Sequence, residues 1–153
     1  MGREVRRVPK DWQHPKGKSL FRAQDVNKLQ AEWDFARDQW NRGLTDDWNG
    51  GWEPHSDNGP YEDYAGHRPR EEDYMPQWSD DQCTHYQMYE TCSEGSPISP
   101  VMETPEALAR WLADNAASIF GYNTADYETW LRVIVRETVI MPLSSDGRIA
   151  TCT

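Results

Sequence analysis

The sequence predicts an α+β protein, a small antiparallel sheet with about three helices packed on one face and a long irregular loop. Three segments repeat apolar side chains at spacings of three or four residues, which is typical of amphipathic helices. Short alternating or proline-containing runs beside them suit strands. The mean hydropathy is only −0.95, but eight Trp and seven Tyr among 153 residues supply enough apolar surface for a core.

Three helices are predicted. The first covers residues 24–42, where five apolar side chains share one face and Gly43 provides a stop. The second begins after Thr104, an N-cap followed by proline, and ends near Asn115. For the third we expect Thr124 as the N-cap. Its buried face would consist of Tyr127, Trp130, Leu131 and Ile134.

The predicted strands are shorter and less regular. Residues 85–91 alternate in the manner of an amphipathic strand, and residues 97–102 contain two prolines, which suits an edge strand. Residues 138–143 and 148–152 flank a Ser-Ser-Asp-Gly sequence that is typical of a hairpin turn. We therefore expect a hairpin near the C-terminus.

Residues 44–80 are predicted to lack regular structure. Four glycines and four prolines interrupt any regular element there, and the stretch is too long for an ordinary connection. Its six aromatic residues indicate that it wraps over a core. We expect a single domain made of a basic arm at residues 1–22, the helix at 24–42, this stretch and an α+β core at 83–153.

Charge is separated along the chain. Residues 1–22 carry seven Lys or Arg against two acids, whereas residues 46–94 carry thirteen acids against two arginines. The net charge of the whole chain is −10, so its electric field repels nucleic acid, and direct nucleic-acid binding is not expected. We expect the basic arm to lie against the acidic stretch, where each exposed ion pair would contribute about 0–1 kcal/mol.

Acids and aromatics in one stretch indicate a surface for a protein partner. Carboxylates spread over a surface attract a basic site on another protein, and Trp side chains anchor interfaces. The competing interpretation is a solvated loop with no partner, and the sequence leaves a homodimer open. The predicted partner-binding residues are Asp46, Asp47, Trp48, Trp52, Glu53, Asp57, Glu62, Asp63, Glu71, Glu72, Asp73, Trp78, Asp80 and Asp81.

The alternative is a small-ligand-binding protein or an enzyme that acts on a nucleotide signal, with its site in the region Tyr86–Val101. The turn after the predicted strand at 85–91 combines hydroxyl and carboxylate groups, but it lacks the Gly-x-Ser-x-Gly elbow of an activated serine. This alternative site would consist of Tyr86, Tyr89, Glu94 and Ser96. Cys83, His85 and Cys92 lack the spacing of zinc ligands, so neither a metal nor another cofactor is expected.

The sequence also bears on location. It contains no run of about 18 apolar residues, so no membrane partner is expected. Three cysteines, an odd number without the spacing of a disulfide framework, favour the reducing cytoplasm.

Two stretches carry a resemblance. The first is RVPKDWQHP, Arg7–Pro15; the second runs from Tyr74 to Asn115 and contains HYQMYE, SEGSPISPV and WLADN. With the segment Tyr127–Leu131, they resemble a loose group of small tailed-phage proteins of unknown function. The likeness covers roughly the first fifteen residues and residues 74–135.

This resemblance implies a phage accessory protein that acts in the bacterial cytoplasm. No activity or catalytic residue is assigned to the group, so none carries over to this chain. Small acidic phage proteins often inhibit host defences, which agrees with the charge pattern by analogy only. The expected function is inhibition of a host protein with a basic surface, such as a defence nuclease or another nucleic-acid-binding protein like a CRISPR effector. A minor virion component is a further alternative.

Overall fold

The computed structural model describes residues 2–92 and 95–139. The chain forms two compact units. We call residues 2–23 with 75–139 the sheet unit, and residues 24–74 the aromatic unit. In chain order the elements are β1 (Arg3–Val8), α1 (Val26–Asn41), β2 (Leu44–Asp46), β3 (Trp52–Pro54), α2 (Tyr61–Ala65), β4 (His85–Glu90), β5 (Ser96–Pro97), α3 (Pro105–Asp114), β6 (Ser118–Phe120), β7 (Asn123–Thr124) and α4 (Tyr127–Val139), with short 3₁₀ helices at Glu71–Asp73 and Asp80–Gln82.

This combination of helices and antiparallel strands confirms the predicted α+β class. The sheet unit contains a three-stranded antiparallel sheet in the order β1-β4-β5. The central strand was predicted from its alternation, and β5 lies at an edge as its proline requires. The strand β1 was missed, because four of its six residues are charged and its two buried apolar residues, Val5 and Val8, pack into clusters on opposite faces of the sheet instead of alternating along one face.

Helices α3 and α4 pack on one face of this sheet. Val5 and Met88, paired across β1 and β4, face Leu112, Trp130 and Ile134 in a core cluster. All of these side chains are at most 4% exposed. On the surface, the guanidinium carbon of Arg110 in α3 lies 4.1 Å from the ring centroid of Tyr127 in α4. The first predicted helix, α1, is instead part of the aromatic unit.

The ends of the helices test the predicted caps. Thr104 accepts a hydrogen bond from the Ala107 amide, which confirms it as the N-cap of α3. Thr124 does not cap α4, because it lies in β7. Asp126 takes that role, since its side chain accepts a 2.8 Å hydrogen bond from the Thr129 amide.

The predicted C-terminal hairpin cannot be compared in full. Residues 138 and 139 end α4 rather than begin a strand. The rest of the hairpin, including the Ser-Ser-Asp-Gly turn, lies outside the described residues.

The second face of the sheet is buried and polar. Glu4, Arg6, Gln87 and Tyr89 lie there, since residues of one face alternate along each strand. The Glu4 carboxylate pairs with Arg6 at 2.6 Å and with Arg22 at 2.5 Å. Arg6, only 3% exposed, also donates a 2.7 Å hydrogen bond to the Leu20 carbonyl.

The basic arm meets the acidic stretch mainly as a strand paired with β4 rather than through ion pairs. The arm supplies a strand, and two of its arginines share an ion pair with its own Glu4. Among the described residues, Arg7 with Asp80 is the one ion pair that joins the arm to the acidic stretch. A strand forms because burying Val5 and Val8 stabilises the chain more than an exposed ion pair does.

The open edge of β1 is covered by α4. The Val5 amide donates a 2.8 Å hydrogen bond to Glu137 Oε2. Burial is the largest influence on this carboxyl and raises the pKa of Glu137, although the Val5 amide and Arg22 act in the opposite direction. The folded protein therefore holds a proton on Glu137 more tightly than the unfolded chain does.

We expect Glu137→Gln to change how stability depends on pH. Below the unfolded pKa the protonated side chain carries no penalty, and the contribution of Glu137 to stability falls as pH rises through its raised folded pKa. Because Gln still accepts the Val5 hydrogen bond without ionising, the variant should become progressively more stable relative to wild type between about pH 4 and pH 7. Urea unfolding across this range measures the difference, with Glu103→Gln, at an exposed position, as control. A difference that does not change with pH would contradict the prediction.

Candidate functional site

The aromatic unit is built on helix α1. Asp25 caps it by accepting a hydrogen bond from the Lys28 amide. Trp33 and Trp40, two turns apart, are its buried residues. Phe35 lies off this stripe and is 57% exposed. The helix thus presents aromatic side chains both to the interior of the unit and to solvent.

The hairpin β2–β3 begins directly after this helix. Its two strands pair antiparallel, with Asp46 opposite Trp52. The Asp46 carboxylate accepts a 2.6 Å hydrogen bond from the Trp48 amide, and Trp48 adopts a positive φ of 63°. Such a conformation is strained for a non-glycine residue and is held here by the side chain two positions earlier. As a result Trp48 projects from the loop, 82% exposed.

Asp47 stabilises the same loop from within. Its carboxylate accepts hydrogen bonds from the Asn49 and Gly51 amides at 2.8 and 2.9 Å. These backbone donors lower the pKa of Asp47 below its usual value. Asp46 and Asp47, both predicted as partner-binding acids, therefore also shape the loop that presents Trp48.

Aromatic rings cluster around Trp40. Its ring stacks on His55 with a centroid distance of 3.8 Å and on Tyr64 with a distance of 4.7 Å. The Trp40 indole N–H donates to the Gly59 carbonyl, and His55 Nε2 donates to the Trp40 carbonyl. Tyr61 packs against both Trp40 and Trp33. These contacts fix one wall of a cavity.

The cavity has a volume of about 490 Å³, within the range of small-ligand sites. Ten residues line it, five of them aromatic. Among the described lining residues Asp46 is the only charged one. The aromatic lining consists of Trp40, Trp48, Trp52, Tyr61 and Tyr64. A second, more open groove of about 650 Å³ shares Asp46, Trp52 and Tyr61 with it.

The aromatic unit is strongly acidic. Residues 24–74 contain thirteen Asp or Glu against five Lys or Arg, a net charge of −8. Arg68 binds both oxygens of Asp34 at 3.0 Å and lowers the pKa of that carboxyl. Arg70 pairs with Glu72 and Asp73. The side chains of Glu53, Glu62, Asp63 and Glu71 make no ion pair or hydrogen bond with the described residues.

The structure divides the predicted partner-binding set between the two units. Its residues from Asp46 to Asp73 belong to the aromatic unit, whereas Trp78, Asp80 and Asp81 belong to the sheet unit. Trp78 packs edge to face against Trp12, with centroids 4.9 Å apart, and contributes to a core cluster. Asp80 pairs with Arg7 at 2.5 Å. Trp78 and Asp80 thus serve the sheet unit itself.

The described residues of the alternative ligand site do not converge on one face of the sheet. Tyr86 and Tyr89 pack into core clusters on opposite faces of the sheet. Tyr89 is fully buried, with Trp12 donating to its hydroxyl and the hydroxyl donating to Gln87; burial raises the pKa of Tyr89. Ser96 lies 3.0 Å from the hydroxyl of Ser19. Glu94 lies outside the described residues.

Sequence reasoning missed part of the cavity lining. The sequence predicted a core or wrapping role for Trp40, Tyr61 and Tyr64, yet these side chains line the cavity. Phe35, which packs on Trp52 with centroids 5.6 Å apart, was not considered. Its position off the apolar stripe of the first predicted helix was the available signal, because an exposed aromatic residue on a polar helix face often marks a contact surface.

We looked for a metal centre among the described cysteines and histidines. In the described ranges 2–92 and 95–139, no three His, Cys, Asp or Glu side chains are grouped to hold a metal ion. Cys92 is a free, exposed thiol, whereas Cys83 is buried.

No protein family, curated protein or solved structure matches the chain. Of the helices in the described part of the chain, none has the length and apolar character needed to cross a membrane.

Proposed function

We propose that the chain is a non-enzymatic binding protein whose aromatic unit binds a host protein with a basic surface. One observation carries the proposal: Trp48, Trp52 and Tyr64 are exposed around a formed cavity in a unit of net charge −8. Trp and Tyr supply much of the binding energy at protein interfaces, and they do so best in pockets that exclude water. Unpaired carboxylates around them would steer a basic partner toward the cavity.

The proposed biological role is that of a phage accessory protein that blocks a host factor. It rests on the resemblance of the N-terminal and C-terminal stretches to small tailed-phage proteins, and on the acidic charge of the aromatic unit. The partner class that fits this charge is a defence nuclease or another nucleic-acid-binding protein, whose basic surface the acids would occupy in place of phosphate. Under this proposal the protein acts in the host cytoplasm.

The first test compares captured proteins. Tagged wild-type protein and a Trp48→Ala/Trp52→Ala variant are incubated with lysate of a bacterial host, and captured proteins are identified by mass spectrometry. We expect a basic protein to be captured by wild type and lost with the variant, and the purified partner to bind directly. Tyr122→Ala is the matched control, because Tyr122 is a fully exposed aromatic residue of the sheet unit. Equal capture by all three proteins would contradict the proposal.

The second test isolates charge. The variant Glu53→Gln/Glu62→Gln/Asp63→Asn removes three carboxylates of the aromatic unit that have no partner among the described residues. We expect it to slow association with the purified partner several-fold at low salt and to flatten the dependence of association on salt. Glu103→Gln/Glu106→Gln/Asp114→Asn removes the same charge from exposed positions of the sheet unit and should change the rate less. If the two triple variants slowed association equally, the acids of the aromatic unit would have no special role in attracting the partner.

A further inference from the structure

We propose that the cavity of the aromatic unit binds a guanidinium group, that of an arginine side chain on the basic partner. This inference rests on the proposed function and names the chemical group that the cavity recognises. It is carried by three features of the described residues that line the cavity: their aromatic rings, their single carboxylate and the absence of a cation among them.

The rings supply faces on which a cation binds. Trp48 and Trp52 are 82% and 37% exposed, and Tyr64 is 50% exposed, so all three remain accessible at the mouth of the cavity. The negative face of an aromatic ring attracts a cation that lies within about 6 Å of its centroid. The same unit already contains one such contact, with the guanidinium carbon of Arg37 5.5 Å from the centroid of the Trp33 ring.

The charge on the cavity wall is negative, opposite in sign to that of a guanidinium group. Asp46 is the one charged residue among the described residues that line the cavity. Burial first, then Tyr64 and then the Asp46 carboxylate raise the pKa of Tyr61, which also lines the cavity. Asp46 forms no ion pair with a described Lys or Arg, and its Oδ1 accepts one backbone hydrogen bond from Trp48. The Asp46 carboxylate is therefore available to form an ion pair with a cation that enters the cavity.

The group that fits best is planar and weakly hydrated. A guanidinium stacks on Trp and Tyr rings and can donate two hydrogen bonds to one carboxylate, whereas an ammonium is a compact and strongly hydrated charge. A cavity of about 490 Å³ also leaves room for the peptide chain that carries the arginine. The free acids Glu62 and Asp63, which belong to α2 beside the lining residue Tyr61, would attract basic residues that flank it.

The test uses two nine-residue peptides, Gly-Lys-Ala-Gly-Arg-Gly-Ala-Lys-Gly and the same peptide with citrulline in place of Arg. Citrulline has nearly the same shape and no charge. Binding to the full chain is measured by calorimetric titration and by shifts of the indole N–H signals of Trp48 and Trp52. We expect the arginine peptide to bind at least ten-fold more tightly than the citrulline peptide, and more tightly than free arginine.

Two substitutions test whether the arginine peptide binds in the cavity. Asp46→Asn keeps an acceptor for the Trp48 amide and removes the charge, and Trp52→Ala removes one ring. Each should weaken binding of the arginine peptide by about three- to thirty-fold, the range that corresponds to roughly 0.5–2 kcal/mol. Trp52→Phe should recover part of the loss, and Tyr122→Ala should bind as wild type does.

Each other outcome overturns the inference in a different way. Equal binding of the two peptides shows that flanking lysines and the acidic surface suffice, which leaves the proposed function standing. Free arginine that binds as tightly as the peptide shows that the ligand is a small molecule rather than a protein side chain. If neither peptide binds, the cavity takes no guanidinium, and capture of a basic protein through Trp48 and Trp52 then decides the proposed function separately.

Discussion

Replacing Gly95 by alanine should destabilise the sheet unit more than any surface change in the chain. Gly95 has a φ of +108°, a conformation that residues with a Cβ rarely adopt. A Cβ there would overlap the backbone carbonyl of Leu20 and lie 2.6 Å from Arg6 Nη2. Neither neighbour can give way easily, because the Leu20 amide donates to Gly95 O and the Leu20 carbonyl accepts from the buried Arg6.

We expect Gly95→Ala to lower the free energy of unfolding by about 2–4 kcal/mol, from backbone strain and steric overlap together. Hydrogen exchange of the β4 amides measures this in the full chain and reports on the sheet unit alone. Gly17→Ala is the control, because Gly17 has a φ of +74° but no atom within 4 Å of its added Cβ. It should cost only about 1–2 kcal/mol. Equal losses in the two variants would show that the overlap with Leu20 is relieved.

Arg6→Ala is the second substitution with a large expected effect. Arg6 is 3% exposed, pairs with Glu4, donates to the Leu20 carbonyl and places its guanidinium carbon 4.2 Å from the centroid of the Tyr89 ring. Removing it leaves the largely buried carboxylate of Glu4 with Arg22 alone and the Leu20 carbonyl without its donor. Loss of one partner of a buried ion pair typically costs about 3–5 kcal/mol.

A neighbour in the same strand is the control for Arg6. Arg7 carries the same charge, but its ion pair with Asp80 is exposed, so Arg7→Ala should cost about 0–1 kcal/mol from the ion pair and a further similar amount from its hydrogen bond to Cys83. Adding Glu4→Gln to Arg6→Ala should recover part of the loss, because the poorly compensated carboxylate is then gone. Urea midpoints that fall equally for Arg6→Ala and Arg7→Ala would contradict the buried role of Arg6.

The prediction for Arg6 concerns a segment for which the sequence had indicated a different role. Residues 1–22 were expected to act as a basic arm against the acidic stretch, since seven cations and no long apolar run stand there. In the fold, Arg6 and Arg22 neutralise Glu4, and the strand is defined by Val5 and Val8. Two buried apolar side chains in six residues are too weak a pattern to predict a strand, because pairing with β4 rather than local preference makes the strand.

The three longer helices, by contrast, were predicted from local sequence. α1 and α3 lie within two residues of their predicted ends, and α4 contains the predicted buried face with Trp130 and Ile134 fully buried. Helical spacing is local, so four or five apolar residues and a cap are enough to predict it. The cap of α4 was wrong, because Thr124 and Asp126 are both good caps and only the hairpin β6–β7 excludes the first.

The candidate site was predicted in part, unlike the strand, which was missed, and the helices, which were predicted. Its acids and tryptophans could be named from composition, and Asp46, Trp48 and Trp52 do meet at one cavity. Their neighbours Tyr61 and Tyr64 come from a different element, and Trp78, named with them, packs on Trp12 in the sheet unit. Composition shows which residues are available to a site but not which of them converge, since convergence depends on contacts between residues far apart in the chain.

By itself, the sequence determined the α+β class, the positions of α1, α3 and α4, the central strand and the acidic, aromatic character of residues 44–80, because each of these depends on local spacing or composition. The prediction that residues 44–80 lack regular structure was wrong, because β2, β3 and α2 form there. The tertiary structure alone decided that the basic arm is a strand, that Arg6 and Tyr89 are buried, and that five aromatic rings enclose a cavity beside Asp46. The physical reason is that burial, ion pairing and cavity shape arise from long-range packing, in which each side chain competes for partners across the whole unit.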